Sequence, residues 1–209
     1  MSVRADRFDA HLPGTLLTTM VEGATLDTVF RIFAVLMVTG LTAVAAQVSV
    51  PVPFTPVPFT LQPMVVLLGG AALGPRLGMA SQVLYLALGM AGFPVFAASA
   101  VLPQGVFRLL GPTGGYLMSY PFAAFVTGAL AQRGFDRNYL TSVIAMAAGL
   151  AMIFAGGVAW LAWFAKPAAA GLDLALRTGL YPFVPADIVK ILMASAIMPS
   201  VWAFVGRKP

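Results

Sequence analysis

The sequence predicts an all-α integral membrane protein, a bundle of six transmembrane helices with both termini in the cytoplasm. Hydrophobic residues make up 60% of the 209 residues and charged residues only 9%. The mean hydropathy of +0.92 is far above that of soluble domains. The apolar residues form long runs divided by Gly, Pro and charged residues, and most basic residues lie at the ends of these runs.

The first 27 residues are polar and differ from the rest of the chain. Their titratable side chains are Arg4, Asp6, Arg7, Asp9, His11, Glu22 and Asp27. This composition is too polar for the apolar region of a cleaved export signal. We therefore expect residues 1–27 to form a cytoplasmic tail and residues 28–209 to form the six-helix membrane domain.

Six apolar runs follow the tail, and about 20 apolar residues are needed to cross the hydrocarbon core of a bilayer. In chain order the predicted spans are 32–50, 57 or 61 to 73, 77–93, 116–131, 139–164 and 181–205. The fifth run is the longest uninterrupted one, and it ends with Trp160 and Trp163, a residue type enriched at membrane interfaces. A polar loop containing Lys166, Asp173 and Arg177 is expected before the sixth.

Two further connections are irregular. The first is an exact tandem repeat of Pro-Val-Pro-Phe-Thr at residues 51–60, and alternating prolines favour extended backbone over helix. It is either a stiff connector or an outer loop that lines and gates a pocket, in which case its gating residues are Phe54, Thr55, Phe59 and Thr60. The second is a long non-helical stretch at residues 95–114 that ends in Gly111-Pro-Thr-Gly-Gly115, a tight turn opening the fourth span.

The basic residues of the loops set the predicted orientation. Three lie on one side of the membrane, namely Arg108, Lys166 and Arg177. Eight lie on the other, namely Arg4, Arg7, Arg31, Arg76, Arg133, Arg137, Arg207 and Lys208. Because basic residues concentrate in cytoplasmic loops, both termini are predicted to be cytoplasmic. The tandem repeat, the Gly-rich turn and the start of the last span then meet at the outer face.

The last span carries two charges, Asp187 and Lys190, where a membrane helix usually has none. A charge inside a bilayer costs about 2.5–3.5 kcal/mol on insertion scales, so such residues face a partner, a cavity or a ligand. Their spacing puts both on one helical face, with Lys190 about 4.5 Å deeper and its side chain leaning back toward Asp187. The pair is either structural or a binding site for a group that both donates and accepts hydrogen bonds, such as a urea or an amide.

Catalysis, metal binding and nucleic-acid binding are not supported. The chain has no Cys, and its single His, His11, lies in the polar tail, so neither a catalytic dyad nor a His- or Cys-based metal site is expected. The net charge of +5 comes from residues at span ends rather than from a basic patch with aromatics. There is no phosphate-binding P-loop motif, so any ATP hydrolysis coupled to transport belongs to another protein. No cofactor is expected.

Four segments resemble the BioY family, the biotin-binding S-components of energy-coupling-factor vitamin transporters. They are Val57-Pro-Phe-Thr-Leu-Gln62, Leu73-Gly-Pro-Arg-Leu-Gly78, Gly111-Pro-Thr-Gly-Gly-Tyr116 and Pro185-Ala-Asp-Ile-Val-Lys190. With Gly92-Phe-Pro-Val-Phe96 they spread the likeness over nearly the whole chain except the tail. Each motif is short, but their order and spacing make the set specific.

The resemblance implies a protein that captures biotin at the outer face of a bacterial plasma membrane, with a transmembrane coupling subunit and cytoplasmic ABC-type ATPases as partners. The family's Asp-x-x-Lys pair corresponds to Asp187 and Lys190. We expect Asp187 to accept from the ureido N–H groups of biotin and Lys190 to donate to the ureido carbonyl. The remaining candidate ligand-binding residues are Tyr116, Arg108 for the carboxylate, and Ser99 and Gln104, which compete for one small polar position.

A surface for the coupling subunit is predicted on the first span, where S-components tend to carry small residues four apart. The candidates here are Thr39 with Ala43 and Thr42 with Ala46, a small-xxx-small pattern. The leading alternative function is a stand-alone secondary transporter that exchanges protons through Asp187 and Lys190. No inverted repeat is evident in the sequence to support that alternative. A membrane enzyme is disfavoured because nucleophile and base are missing.

Overall fold

The structure is a computed structural model, and it describes residues 14–21, 27–98, 104–165 and 171–205. The helices in chain order are α1 Leu16–Val21, α2 Asp27–Gln47, α3 Gln62–Leu73, α4 Pro75–Met90, α5 Phe107–Leu110, α6 Gly114–Gln132, α7 Tyr139–Trp163, α8 Leu172–Gly179 and α9 Val184–Val205. Two short strands, β1 Ser49–Val50 and β2 Phe59–Thr60, pair antiparallel. The described part of the chain is therefore mostly helical with almost no strand, as predicted.

Helices α2, α7 and α9 are long and apolar enough to cross a membrane. The other predicted spans correspond to α3, α4 and α6, and their positions in the sequence agree with the apolar runs. A single residue, Gly74, separates α3 from α4. Its φ of 81° lies in the left-handed region that favours glycine, and its N–H donates to Gly70 O over 2.9 Å. Pro75 then occupies the start of α4, where a missing N–H is harmless.

Helix α6 is central to the bundle and packs against α3, α4, α5 and α7. The main core lies along α3, α6, α7 and α9, and its fully buried members include Val66, Ala123, Ala124, Met146 and Ala194. Many contacts in this core involve Ala and Gly, whose small size lets the helix backbones approach closely. Within a bilayer the hydrophobic effect does not drive helices together, so this close packing is what stabilises their association.

Four features of the fold differ from the sequence prediction. The first span ends at Gln47 rather than residue 50, because residues 49–50 pair with residues 59–60 as strands. The tandem repeat is thus the loop of a two-stranded hairpin. Helix α5 lies within the stretch expected to be non-helical, and helix α8 replaces part of the expected polar loop.

The fourth difference concerns the predicted tail. Residues 16–21 form α1, and Thr15 and Leu16 are 3% and 7% exposed, so this part of the tail packs on the bundle. Gly14 O accepts a hydrogen bond from Arg137 over 3.0 Å. The polar composition of the tail as a whole hides this short apolar segment.

Candidate ligand-binding site

The charged pair of the last span is formed as the spacing predicted. Asp187 lies in the first turn of α9 and Lys190 one turn below it, and Lys190 Nζ donates to Asp187 Oδ1 over 2.7 Å. The two side chains are 5% and 15% exposed, respectively. Proximity to the free N–H groups of the helix start favours a carboxylate at Asp187. The pair is a short, nearly buried ion pair at one end of α9.

Lys190 also ties the last helix to the hairpin. Its Nζ donates to Thr60 O, in strand β2, over 2.7 Å. Thr60 Oγ1 accepts from the backbone N–H of Gln62, which begins α3. The end of the tandem repeat is therefore fixed between α3 and α9, directly beside the pair.

The pair lies in the wall of a cavity of about 820 Å³, within the range of volumes typical of small-molecule sites. The hairpin, α3, the segment after α4, α6, α7 and α9 all contribute to its lining. Members that carry polar atoms or large side chains are Gln47, Thr55, Thr60, Gln62, Phe96, Arg108, Thr113, Tyr116, Tyr120, Ile153, Phe154, Phe183, Asp187 and Lys190.

Aromatic side chains form the wall around the pair. Phe183, in the turn before α9, stacks on Phe59 of β2 with ring centroids 4.4 Å apart. Tyr116 and Tyr120 lie one turn apart on α6 and both line the cavity. The hydroxyl of Tyr116 donates to Gly179 O at the end of α8 over 2.7 Å, so α8 supports this wall from outside.

Arg108 brings a cation to the cavity from α5. It is 4% exposed and donates to Ala97 O. Burial lowers the pKa of Arg108 below its ordinary value, but a guanidinium remains charged at neutral pH. The cavity therefore has a neutralised ion pair on α9 and a further buried cation on α5.

The structure brings together most of the residues predicted for the site. Thr55, Thr60, Tyr116, Arg108 and the α9 pair all line the cavity. Phe59 contributes through its stack on Phe183. Phe54 is 59% exposed and is not among the described lining residues, so it lies on the outer surface of the hairpin loop.

The two candidates for the small polar position have different outcomes. Gln104 donates from Nε2 to Phe96 O over 3.1 Å, and its buried Oε1 has no hydrogen-bond partner among the described residues. Gln104 therefore holds the segment that lines the cavity, and it is not itself among the described residues that line it. Ser99 lies outside the described residues.

The four residues predicted as a docking surface on the first span are largely covered within this chain. The four residues are Thr39, Ala43, Thr42 and Ala46, and the two threonines and Ala46 are at most 3% exposed, while Ala43 is partly buried against the core. Thr39 Oγ1 donates to Ser81 O over 2.9 Å, and Gln82 Nε2 donates to Thr42 Oγ1 over 3.2 Å. The small residues of α2 thus let α4 pack closely inside this chain, and among the four only Ala43 remains partly exposed.

Sequence reasoning missed several lining residues, namely Gln62, Phe96, Tyr120 and Phe183. Tyr120 carried a signal, since it follows Tyr116 by four residues and so shares its helical face. Gln62 also carried one, as the single polar residue that opens a long apolar run. Phe96 and Phe183 lie in turns whose direction no periodicity fixes. The described residues hold no group of three or more His, Cys, Asp or Glu that could bind a metal ion.

Comparison with known proteins identifies the family of this chain. Residues 18–207 match the model of the BioY family. A protein from Pyrococcus horikoshii named as a probable biotin transporter BioY is 43% identical over 158 residues, covering 76% of this chain and 87% of that protein. The biotin transporter BioY of Thermotoga maritima is 36% identical over 159 residues, covering 76% of this chain and 88% of that protein.

A solved structure gives the same result for the fold. The crystal structure of the S-component for biotin from an ECF-type ABC transporter superposes with a TM-score of 0.75 and 26% sequence identity, covering 85% of this chain and 93% of that chain. With three helices able to span a membrane, the protein is a multi-pass membrane protein. The family model covers far more than half of the sequence, and this chain belongs to the BioY family.

Proposed function

We propose that this chain is the biotin-binding S-component of an energy-coupling-factor transporter and captures biotin from the outer side of the plasma membrane. The observation that carries the proposal is the buried Asp187–Lys190 pair in the wall of a cavity of suitable volume. A transmembrane coupling subunit and cytoplasmic ABC-type ATPases are its partners, and the chain itself performs no catalysis.

Counting donors and acceptors indicates how the pair binds a ureido ring. An ammonium has three N–H donors, and Lys190 uses two of them on Asp187 and Thr60, which leaves one for the ureido carbonyl. A carboxylate accepts about four hydrogen bonds, and Lys190 uses one at Oδ1. Asp187 therefore retains capacity for the two ureido N–H groups. The aromatic wall suits the apolar bicycle of biotin.

Arg108 is the proposed partner of the biotin carboxylate. Lys190 is already engaged by an anion, whereas the guanidinium of Arg108 holds a backbone carbonyl and has five donors in total. Charge-assisted hydrogen bonds to a carboxylate are among the strongest that a protein makes. The two ends of the ligand are then bound by different helices, α9 and α5.

The chain is proposed to cross the membrane six times, with both termini in the cytoplasm. The distribution of basic residues supports this orientation. The guanidinium of Arg137 lies 3.7 Å from the ring centroid of Trp202, near the end of α9, and also donates to Gly14 O. The start of the described chain and the end of α9 thus lie together, at the end of α9 opposite the ligand pair.

Isothermal titration of the purified protein with biotin tests the proposal, together with mass spectrometry for co-purified biotin. We expect tight binding, and a protein that neither contains nor binds biotin would refute it. Arg108→Gln should weaken binding of biotin but not of biotin amide, whose tail is uncharged, while Arg177→Gln on the exposed face of α8 serves as the matched control. Uptake of labelled biotin that needs no ATPase and follows the proton gradient would instead favour a secondary transporter.

A further inference from the structure

The segment Phe93–Ala98, which we term the strap, connects α4 to the outer face and lines the cavity with Phe96, Ala97 and Ala98. Four successive carbonyl groups of the strap each accept a hydrogen bond from a different side chain. The pairs are Pro94 O with Gln47, Val95 O with Tyr85, Phe96 O with Gln104, and Ala97 O with Arg108. The strap has no regular secondary structure, so these side chains determine where it lies.

Tyr85 of α4 uses its hydroxyl both to donate and to accept a hydrogen bond. It donates to Val95 O over 3.0 Å and accepts from Gln62 Nε2 over 2.6 Å. A carbonyl can only accept, so the single hydroxyl proton must be directed at Val95. The group of Gln62 that faces Tyr85 must then be the amide NH₂, which leaves the amide oxygen of Gln62 free for other donors.

The ring of Tyr85 supports two further parts of the wall. It meets Phe96 edge to face, with centroids 5.5 Å apart, and lies roughly parallel to Tyr120 at 6.4 Å. Gln62, Phe96 and Tyr120 line the cavity, and Tyr85 stands behind all three with 0% of its surface exposed. A single buried side chain thus contacts the wall from α3, from the strap and from α6.

We infer that Tyr85 is a positioning residue for ligand binding: its hydroxyl orients the Gln62 amide so that an acceptor is presented to the ligand, and holds the strap against the cavity. The inference rests on the proposed function. It assigns to Gln62 the role of accepting from one ureido N–H group of biotin, while Asp187 accepts from the other. Without the hydroxyl of Tyr85, the amide would be free to flip and present a donor instead.

Tyr85→Phe removes the hydroxyl and keeps the ring contacts. We expect biotin to bind roughly 10- to 100-fold more weakly, the usual effect of stranding one member of a buried hydrogen-bond network. Tyr181→Phe is the matched control, since Tyr181 is 59% exposed, and should bind biotin like the wild type. Hydrogen exchange without ligand should be faster in the strap of Tyr85→Phe and unchanged in α7.

A second variant separates positioning from a general structural effect. In a Gln62→Met background the amide is absent, so adding Tyr85→Phe removes only the bond to Val95 O of the strap and should weaken biotin binding by a smaller factor than the same change in the wild type. Wild-type affinity of Tyr85→Phe, or equal losses in both backgrounds, would overturn the inference while leaving the proposed function in place. A wild-type protein that does not bind biotin would overturn the proposed function. The role of Tyr85 has a separate test, because hydrogen exchange of the strap that is unchanged in Tyr85→Phe without ligand would overturn it.

Discussion

The contributions of the buried residues Asp187 and Lys190 to the free energy of unfolding should be strongly coupled, even without ligand. Lys190→Met leaves the Asp187 carboxylate, 5% exposed, without its counter-charge, and removes the donor to Thr60 O. Removing one partner of a buried ion pair costs about 3–5 kcal/mol. Asp187→Asn is milder, about 1–3 kcal/mol, because an amide oxygen can still accept from Lys190 while Lys190 keeps its bond to Thr60.

The double variant should be more stable than the sum of the single variants predicts. Asp187→Asn with Lys190→Met contains neither charge, and replacing both members of a buried pair is often close to neutral. We therefore expect a loss of only about 0–2 kcal/mol and a coupling free energy of at least about 2 kcal/mol. Biotin binding should nevertheless be lost, because both ureido partners have changed.

Unfolding by sodium dodecyl sulfate in mixed micelles measures the free energies, and calorimetric titration measures biotin affinity. The chain offers a matched control in Asp173 and Arg177, a pair of similar length, 2.9 Å, whose side chains are 81% and 68% exposed. The same cycle there should give about 0.3–0.5 kcal/mol. If the losses in free energy of unfolding of the two single variants simply add in the double variant, the reasoning about burial is refuted. A double variant that binds biotin with normal affinity would refute the ligand role of the pair.

Three further outcomes are expected. Gly157→Ala should weaken biotin binding by about 1–3 kcal/mol, because the added methyl group collides with the ring of Tyr116 in the cavity wall, whereas Gly40→Ala, with nothing within 4 Å, should not. Trp202→Phe should lower the free energy of unfolding by about 1–3 kcal/mol, since it removes the 2.6 Å hydrogen bond to the buried Asp136 carboxylate. Burial raises the pKa of Asp136, so the folded state binds this proton more tightly than the unfolded chain. The contribution of Asp136 to the free energy of unfolding is then largest below its unfolded pKa of about 4, and it decreases as the pH rises through the raised pKa of the folded state. A pH series of unfolding curves on the wild type and on Asp136→Asn would measure this decrease.

The sequence was informative where a residue differs in charge or conformational preference from the apolar run around it. Two charges in an apolar run predicted a buried ion pair, and the lean of helical side chains correctly placed the Lys190 ammonium against Asp187. The long helices followed from apolar runs bounded by Gly, Pro and Arg. In both cases the bilayer supplies the constraint. An unpaired charge and a backbone N–H or C=O group without a hydrogen-bond partner are both unfavourable in hydrocarbon.

Elsewhere the local sequence was compatible with more than one structure. Small residues on α2 allow close approach to any helix, and the bond between Thr39 and Ser81 shows that α4 is the helix concerned. Helix α8 had a signal in the Asp173–Arg177 spacing, but its polar composition resembled a loop. The strap could not be predicted because side-chain hydrogen bonds, including those from α2, α4 and α5, determine its path, and no periodic pattern in the sequence indicates them.

Pairing also explains how a site for a polar ligand can persist at the edge of the membrane. Asp187 and Lys190 neutralise each other over 2.7 Å, so α9 adds no net charge to the cavity wall. A ureido group donates and accepts at once, so it can bond to both residues without separating them. A ligand carboxylate placed there would compete with Asp187 for Lys190 and leave one anion unpaired. On the proposed function, we therefore expect biotin to bind with its ring toward α9 and its carboxylate toward Arg108 on α5.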